Sequence, residues 1–129
     1  MGRSLIKGTV QVGLQHFTRR MTEHAQVFEE AFGCLPYPGT INVRVDRLIE
    51  IQPTSSIRDP VDGQQELLIE ACLINGLPAF RIRPSVIGNP GAGGHGDDIL
   101  EISSCTEIPG IAPGVEVMLE FFRDLPIEA

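Results

Sequence analysis

A mainly β fold, a compact barrel with one helix, is what this sequence of 129 residues predicts, and three observations predict it. Short segments alternate apolar and polar residues at the period of a strand over most of the chain. One stretch alone carries the 3.6-residue period of a helix. Between two alternating runs stands Asn75-Gly76, the pair favoured in two-residue hairpin turns because both positions need positive φ. Six or seven short strands in a chain this small are best buried by closing the sheet on itself, with the helix over an opening. The length fits one domain, 1–129.

Taken in order, the first strand is expected over 9–14, with Val10, Val12 and Leu14 inward. The helix follows in "RRMTEHAQVFEEAFG", where Met21, Ala25, Phe28 and Phe32 fall on one face and Gly33 is placed as a stop. A second strand carries Ile41, Val43 and Val45 inward, and 48–51 is expected to continue it. The hairpin "ELLIEACLI-NG-LPAFRIR" supplies two more strands, with Pro78 marking an edge or a bulge. The segment "SVIGNPGAGGHGDD", residues 85–98, has five glycines in fourteen positions and no periodicity, so it is expected to be a long loop of the kind that serves as a lid. "ILEIS" and "VEVMLEFF" close the sheet, joined through "IPGIAPG".

A net charge of −7 and a pI near 4.8 exclude extended nucleic acid as the natural partner, since phosphate contacts need clustered Lys and Arg and only Arg19 and Arg20 are adjacent. A small anionic ligand stays compatible if a metal ion or backbone amides carry the positive field. The three cysteines, Cys34, Cys72 and Cys105, are odd in number, lack C-x-x-C spacing and lie in apolar contexts, so buried free thiols are expected. "MGRSLIKGTV" lacks the apolar core of a signal peptide and no run reaches membrane-spanning length, which points to a cytoplasmic chain without a membrane partner. Oligomeric state is not encoded legibly.

The chemistry concentrates in "PYPGTINVRV", residues 36–45. Strand alternation puts Thr40, Asn42 and Arg44 on one face, with successive side chains roughly 6.5–7 Å apart. A hydroxyl and an amide oxygen at that spacing can lean onto one cation, and neutral oxygen ligands suit magnesium shared with substrate phosphates.

The stretch "FEEAFGCLPYPGTINVRV" resembles the "PYPGTLN" signature of the archaeal CTP-dependent riboflavin kinases, with Phe28 and Gly33 at the end of the preceding helix. The likeness runs along nearly the whole chain through "KGTVQVG", "FRIRPS", "HGDDILEI" and "GIAPGVEVMLEF", although only the first motif is specific. It implies a small six-stranded cradle-loop barrel that moves the γ-phosphoryl group of CTP to riboflavin, giving FMN and CDP. It also implies Thr40 and Asn42 as magnesium ligands, nucleotide contacts at Gly13, Tyr37, Pro38 and Gly39, and Glu101 as the catalytic and flavin-contacting carboxylate. Gly93, where the family has a threonine, completes the implied substrate side, and His95, beside two glycines in the long loop, is a candidate for phosphate binding from its position alone. The family's glycine-rich loop after the first strand keeps only Gly13 in "VGLQHFTRR", and its Leu-Arg near the nucleotide base is read here as Ile108-Pro109. A non-catalytic barrel that binds a flavin or another small anion is the alternative these departures leave open.

Overall fold

The computed structural model describes residues 2–12, 16–61, 63–85 and 98–125. In chain order the elements are β1 (Ser4–Gln11), α1 (His16–Glu23), α2 (Ala25–Phe32), β2 (Ile41–Arg44), β3 (Ser55–Arg58), β4 (Glu66–Ile74), β5 (Leu77–Pro84), β6 (Ile99–Ser103) and β7 (Glu116–Phe121). All pairings are antiparallel, and the order β4-β5-β6-β2-β1-β7 returns to β4, so six strands form a closed barrel. The long β4 makes closure possible. Its first half, Glu66–Ile69, pairs with the additional strand β3, and its second half, Cys72–Ile74, pairs with β7.

The expected hairpin is present at its expected place. Asn75 and Gly76 both take positive φ, 50° and 80°, the geometry of a two-residue turn that follows strand twist. Pro78 lies where β5 is covered only by β4, because β6 reaches no further than Phe80, so its missing N–H leaves no gap in a ladder.

Several expectations need correction. The first strand begins earlier than its apolar alternation suggested and turns Ile6, Gly8 and Val10 inward, while Val12 is exposed. Gly8 is what permits this register, since a Cβ there would sit 2.3 Å from Val43 Cγ1. Leu14 lies outside the described residues. The helical stretch is two helices broken at His24, whose φ of −126° and ψ of 39° leave the helical region. Gly33 does end the second one, in left-handed conformation with its N–H donating to Glu29 O at 2.8 Å. Residues 48–51 are not a strand, and β3 was not foreseen because "SSIR" carries little apolar content.

Two cores result. The barrel interior holds Ile6, Val10, Val43, Ile74, Leu100, Ile102, Val117, Leu119 and Phe121. The helices press Phe17, Met21, Phe28 and Phe32 onto the outer faces of β4 and β5 at Leu67, Ile69 and Ile82. Phe32 stacks on Phe80 with ring centroids 4.3 Å apart and planes 4° from parallel. Among the described residues no helix is long and apolar enough to cross a membrane.

Candidate functional site

Register aligns one row of residues across the outer surface of the barrel: Gln11, Asn42, Glu101, Ile82 and Ile69 stand opposite one another on β1, β2, β6, β5 and β4. The apolar end of that row lies under the helices. Its polar end is Asn42 beside Glu101. Helix α1 reaches over this part too: Met21 Sδ receives a hydrogen bond from Ser103 Oγ at 3.7 Å, and Ser103 shares Glu101's face of β6. Glu101 is therefore only 6% exposed and Asn42 only 3%. Neither is the solvated strand residue that alternation alone would allow.

Burial pushes the Glu101 carboxyl up to about 7, against the opposing effects of the Arg83 and Arg20 guanidinium groups and a hydrogen bond from Thr40. Thr40 thus touches Glu101, and Asn42 stands directly across the ladder from it. Among the described residues the buried Asn42 amide oxygen has no hydrogen-bond partner. A buried acceptor left unpaired costs about 1–3 kcal/mol, a cost that a ligand to this oxygen would offset. The Thr40 hydroxyl and the Asn42 amide oxygen are hard, neutral donors of the kind magnesium accepts.

Thr40 also belongs to the wall of a neighbouring cavity of about 450 Å³, within the size range of small-molecule sites. One wall is Tyr37, Pro38, Gly39 and Thr40; the other is Ser104, Thr106, Glu107 and Ile108. Tyr37 N–H donates to Ser104 O at 2.9 Å at the root of the cavity, and Tyr37 Oη donates to Glu107 Oε2 at 3.3 Å nearer solvent. Gly39 holds a φ of 101°, a conformation that side chains disfavour, and a Cβ there would meet Thr18 Oγ1 at 3.2 Å.

Of the residues singled out from sequence, the fold brings Thr40, Asn42 and Glu101 together and places Tyr37, Pro38 and Gly39 along the adjoining cavity. Gly13, Gly93 and His95, and most of the expected lid at 85–98, lie outside the described residues. Arg20, Arg83, Ser104, Thr106 and Glu107 were not foreseen as site residues. Arg83 had a signal, its place in "FRIRPS", whereas the arrival of Arg20 depends on how α1 docks. Arg20 Nε also lies 3.1 Å from Asp59 Oδ1, so the guanidinium is fixed from the β3 side.

The cysteine expectation is corrected in part. Cys34 and Cys105 form a disulfide, with Cα atoms 6.0 Å apart across 71 residues of sequence. No spacing rule foretold it, because it joins the residue after the helix stop to the residue two past β6. Cys72 is a buried free thiol, as expected.

No protein-family model matches the chain, and comparison with curated protein sequences finds no significant match.

Proposed function

We propose that this barrel is a phosphotransferase of the CTP-dependent riboflavin kinase type, acting in the cytoplasm on small-molecule substrates. The observation that carries the reading is a trio at the barrel wall: half-buried Thr40 on the carboxylate of buried Glu101, and buried Asn42 opposite it, its amide oxygen without a hydrogen-bond partner among the described residues. The trio lies beside a cavity of nucleotide size, which Thr40 itself helps to line.

In this reading the nucleotide base lies between Tyr37, which offers an aromatic face, and the polar edge of Thr106 and Glu107. Thr40 and Asn42 would hold magnesium, which when bound neutralises phosphate charge. Glu101, poised near neutrality, accepts the proton of the terminal ribityl hydroxyl. The oxygen so released forms a bond to the γ-phosphorus as the bond from that phosphorus to the leaving diphosphate breaks, giving FMN and CDP. Thr40 orients the carboxylate, and the Arg83 and Arg20 guanidinium groups, already acting on Glu101, offset charge that develops on the transferred group. Transfers of this kind depend mainly on positioning and charge neutralisation, so an acidic protein without a basic patch can perform them.

The test is to incubate purified protein with riboflavin, magnesium and each of four nucleoside triphosphates and to follow FMN by chromatography. FMN formed with CTP, and a fall of about 100-fold for Asn42→Ala with the fold retained, supports the assignment. Riboflavin binding without FMN from any donor would replace it with the non-catalytic flavin-binding barrel.

A further inference from the structure

The Cys34–Cys105 disulfide packs against the helix-side core and, without lining the cavity itself, joins the two segments that do. Cys34 begins the irregular segment that runs from α2 to β2 and contains Tyr37, Pro38 and Gly39. Cys105 is the second residue of the segment after β6, which also contains Thr106 and Glu107. Those two segments are the two walls. Among the described residues, and beyond the β2–β6 ladder, the ties between them are the bridge, the Tyr37 N–H to Ser104 O bond and the Tyr37 to Glu107 contact, the last of which is exposed. A single neutral hydrogen bond contributes only about 1 kcal/mol and an exposed one less, so the covalent tie dominates the spacing of the walls. Both bridged residues are half-buried rather than sealed from solvent. The remaining cysteine does not compete for exchange, because Cys72 is buried in the barrel interior and desolvation, with Glu70 nearby, pushes its thiol up to about 12.

We propose that the Cys34–Cys105 bridge is a redox latch on the cavity: low-molecular-weight thiols open it, low-molecular-weight disulfides close it, and the closed form is the one that binds ligand tightly. Opening proceeds by attack of a thiolate on one bridge sulfur. The S–S bond breaks, a mixed disulfide forms, and the other cysteine leaves as a thiolate that takes up a proton. A second small thiolate then attacks the mixed disulfide and releases the second cysteine, so two thiols become one small disulfide and the protein gains two electrons and two protons. Closing is the reverse, with the small disulfide as oxidant. Opening frees the Tyr37 segment to move away from β6 and spreads the walls that would grip a ligand. The ligand consequence rests on the cavity being the nucleotide site proposed above, whereas the backbone consequence does not.

The experiment equilibrates the full chain in a series of reduced and oxidised glutathione mixtures, traps free thiols, and reads the bridge by mass spectrometry. Amide hydrogen exchange and binding of CTP with magnesium are then measured on the fully oxidised and fully reduced forms. The Cys34→Ser/Cys105→Ser double variant serves as a thiol-independent copy of the open state. Expected are reversible loss and recovery of one disulfide with Cys72 unmodified throughout, exchange at the Tyr37 amide at least tenfold faster when reduced, unchanged exchange in the β4–β5 hairpin, and CTP affinity about tenfold weaker when reduced. Failure of Cys34 and Cys105 to pair at any glutathione ratio overturns the proposal, as does equal Tyr37 exchange in the two forms. If CTP binds neither form, the nucleotide reading fails, and faster Tyr37 exchange on reduction still upholds the latch on the cavity.

Discussion

Replacing Glu101 with Gln is expected to make the protein more stable above neutral pH while removing the proposed activity. An ordinary glutamate ionises near 4.5, and burial beneath α1 raises Glu101 to about 7. The folded protein therefore holds this proton more tightly than the unfolded chain does. Below 4.5 both states are protonated and the site costs nothing; between 4.5 and 7 the unfolded chain releases its proton first and stability falls as pH rises; above 7 the full penalty is present. At about 1.4 kcal/mol for each pH unit, the interval amounts to about 3 kcal/mol. Glutamine keeps the shape and the hydrogen-bonding capacity without the ionisation. Urea unfolding of chelator-treated wild type and Glu101→Gln at pH 4.5, 6 and 8 is the assay. The two should coincide within about 1 kcal/mol at pH 4.5 and diverge to about 3 kcal/mol at pH 8, with the variant the more stable. A gap that does not change with pH, or a variant less stable at pH 8, would show that the carboxyl is not held in a desolvated site.

Other substitutions probe the parts that support it. Phe28→Ala, at a side chain with no exposure between the helices and the barrel wall, is expected to lower unfolding free energy by about 3–5 kcal/mol in urea titrations and to loosen α1 over Glu101. Gly39→Ala should cost about 1–2 kcal/mol through its positive φ and weaken nucleotide binding in calorimetry, because the strained turn forms one wall of the cavity. Native Cys72 should resist iodoacetamide at pH 8 for hours and react within minutes once the chain is unfolded, since its thiol is pushed up to about 12 only in the folded barrel.

Local chemistry alone determined much of this protein. The Asn75-Gly76 turn, the paired strands on either side of it, the stop at Gly33 and the inward faces of 41–45 and 99–103 follow from residue types a few positions apart, and the structure places them there. The polar face carrying Thr40 and Asn42 was legible for the same reason. What only tertiary structure decided are properties that no single segment holds. Strand β3 has weak alternation and exists because β4 is long enough to lend it an edge. The break at His24 serves two helices that must each lie on a curved wall, and it leaves no mark in the apolar spacing of Met21, Ala25, Phe28 and Phe32. The site depends on register, which puts Asn42 against Glu101 across 59 residues of chain, and on α1, which brings Arg20 and removes the water that would otherwise hold Glu101 near its ordinary ionisation. The disulfide depends on both: Cys34 and Cys105 meet because a helix end and a strand end converge beside the helix-side core, and sequence distance carries no trace of that convergence.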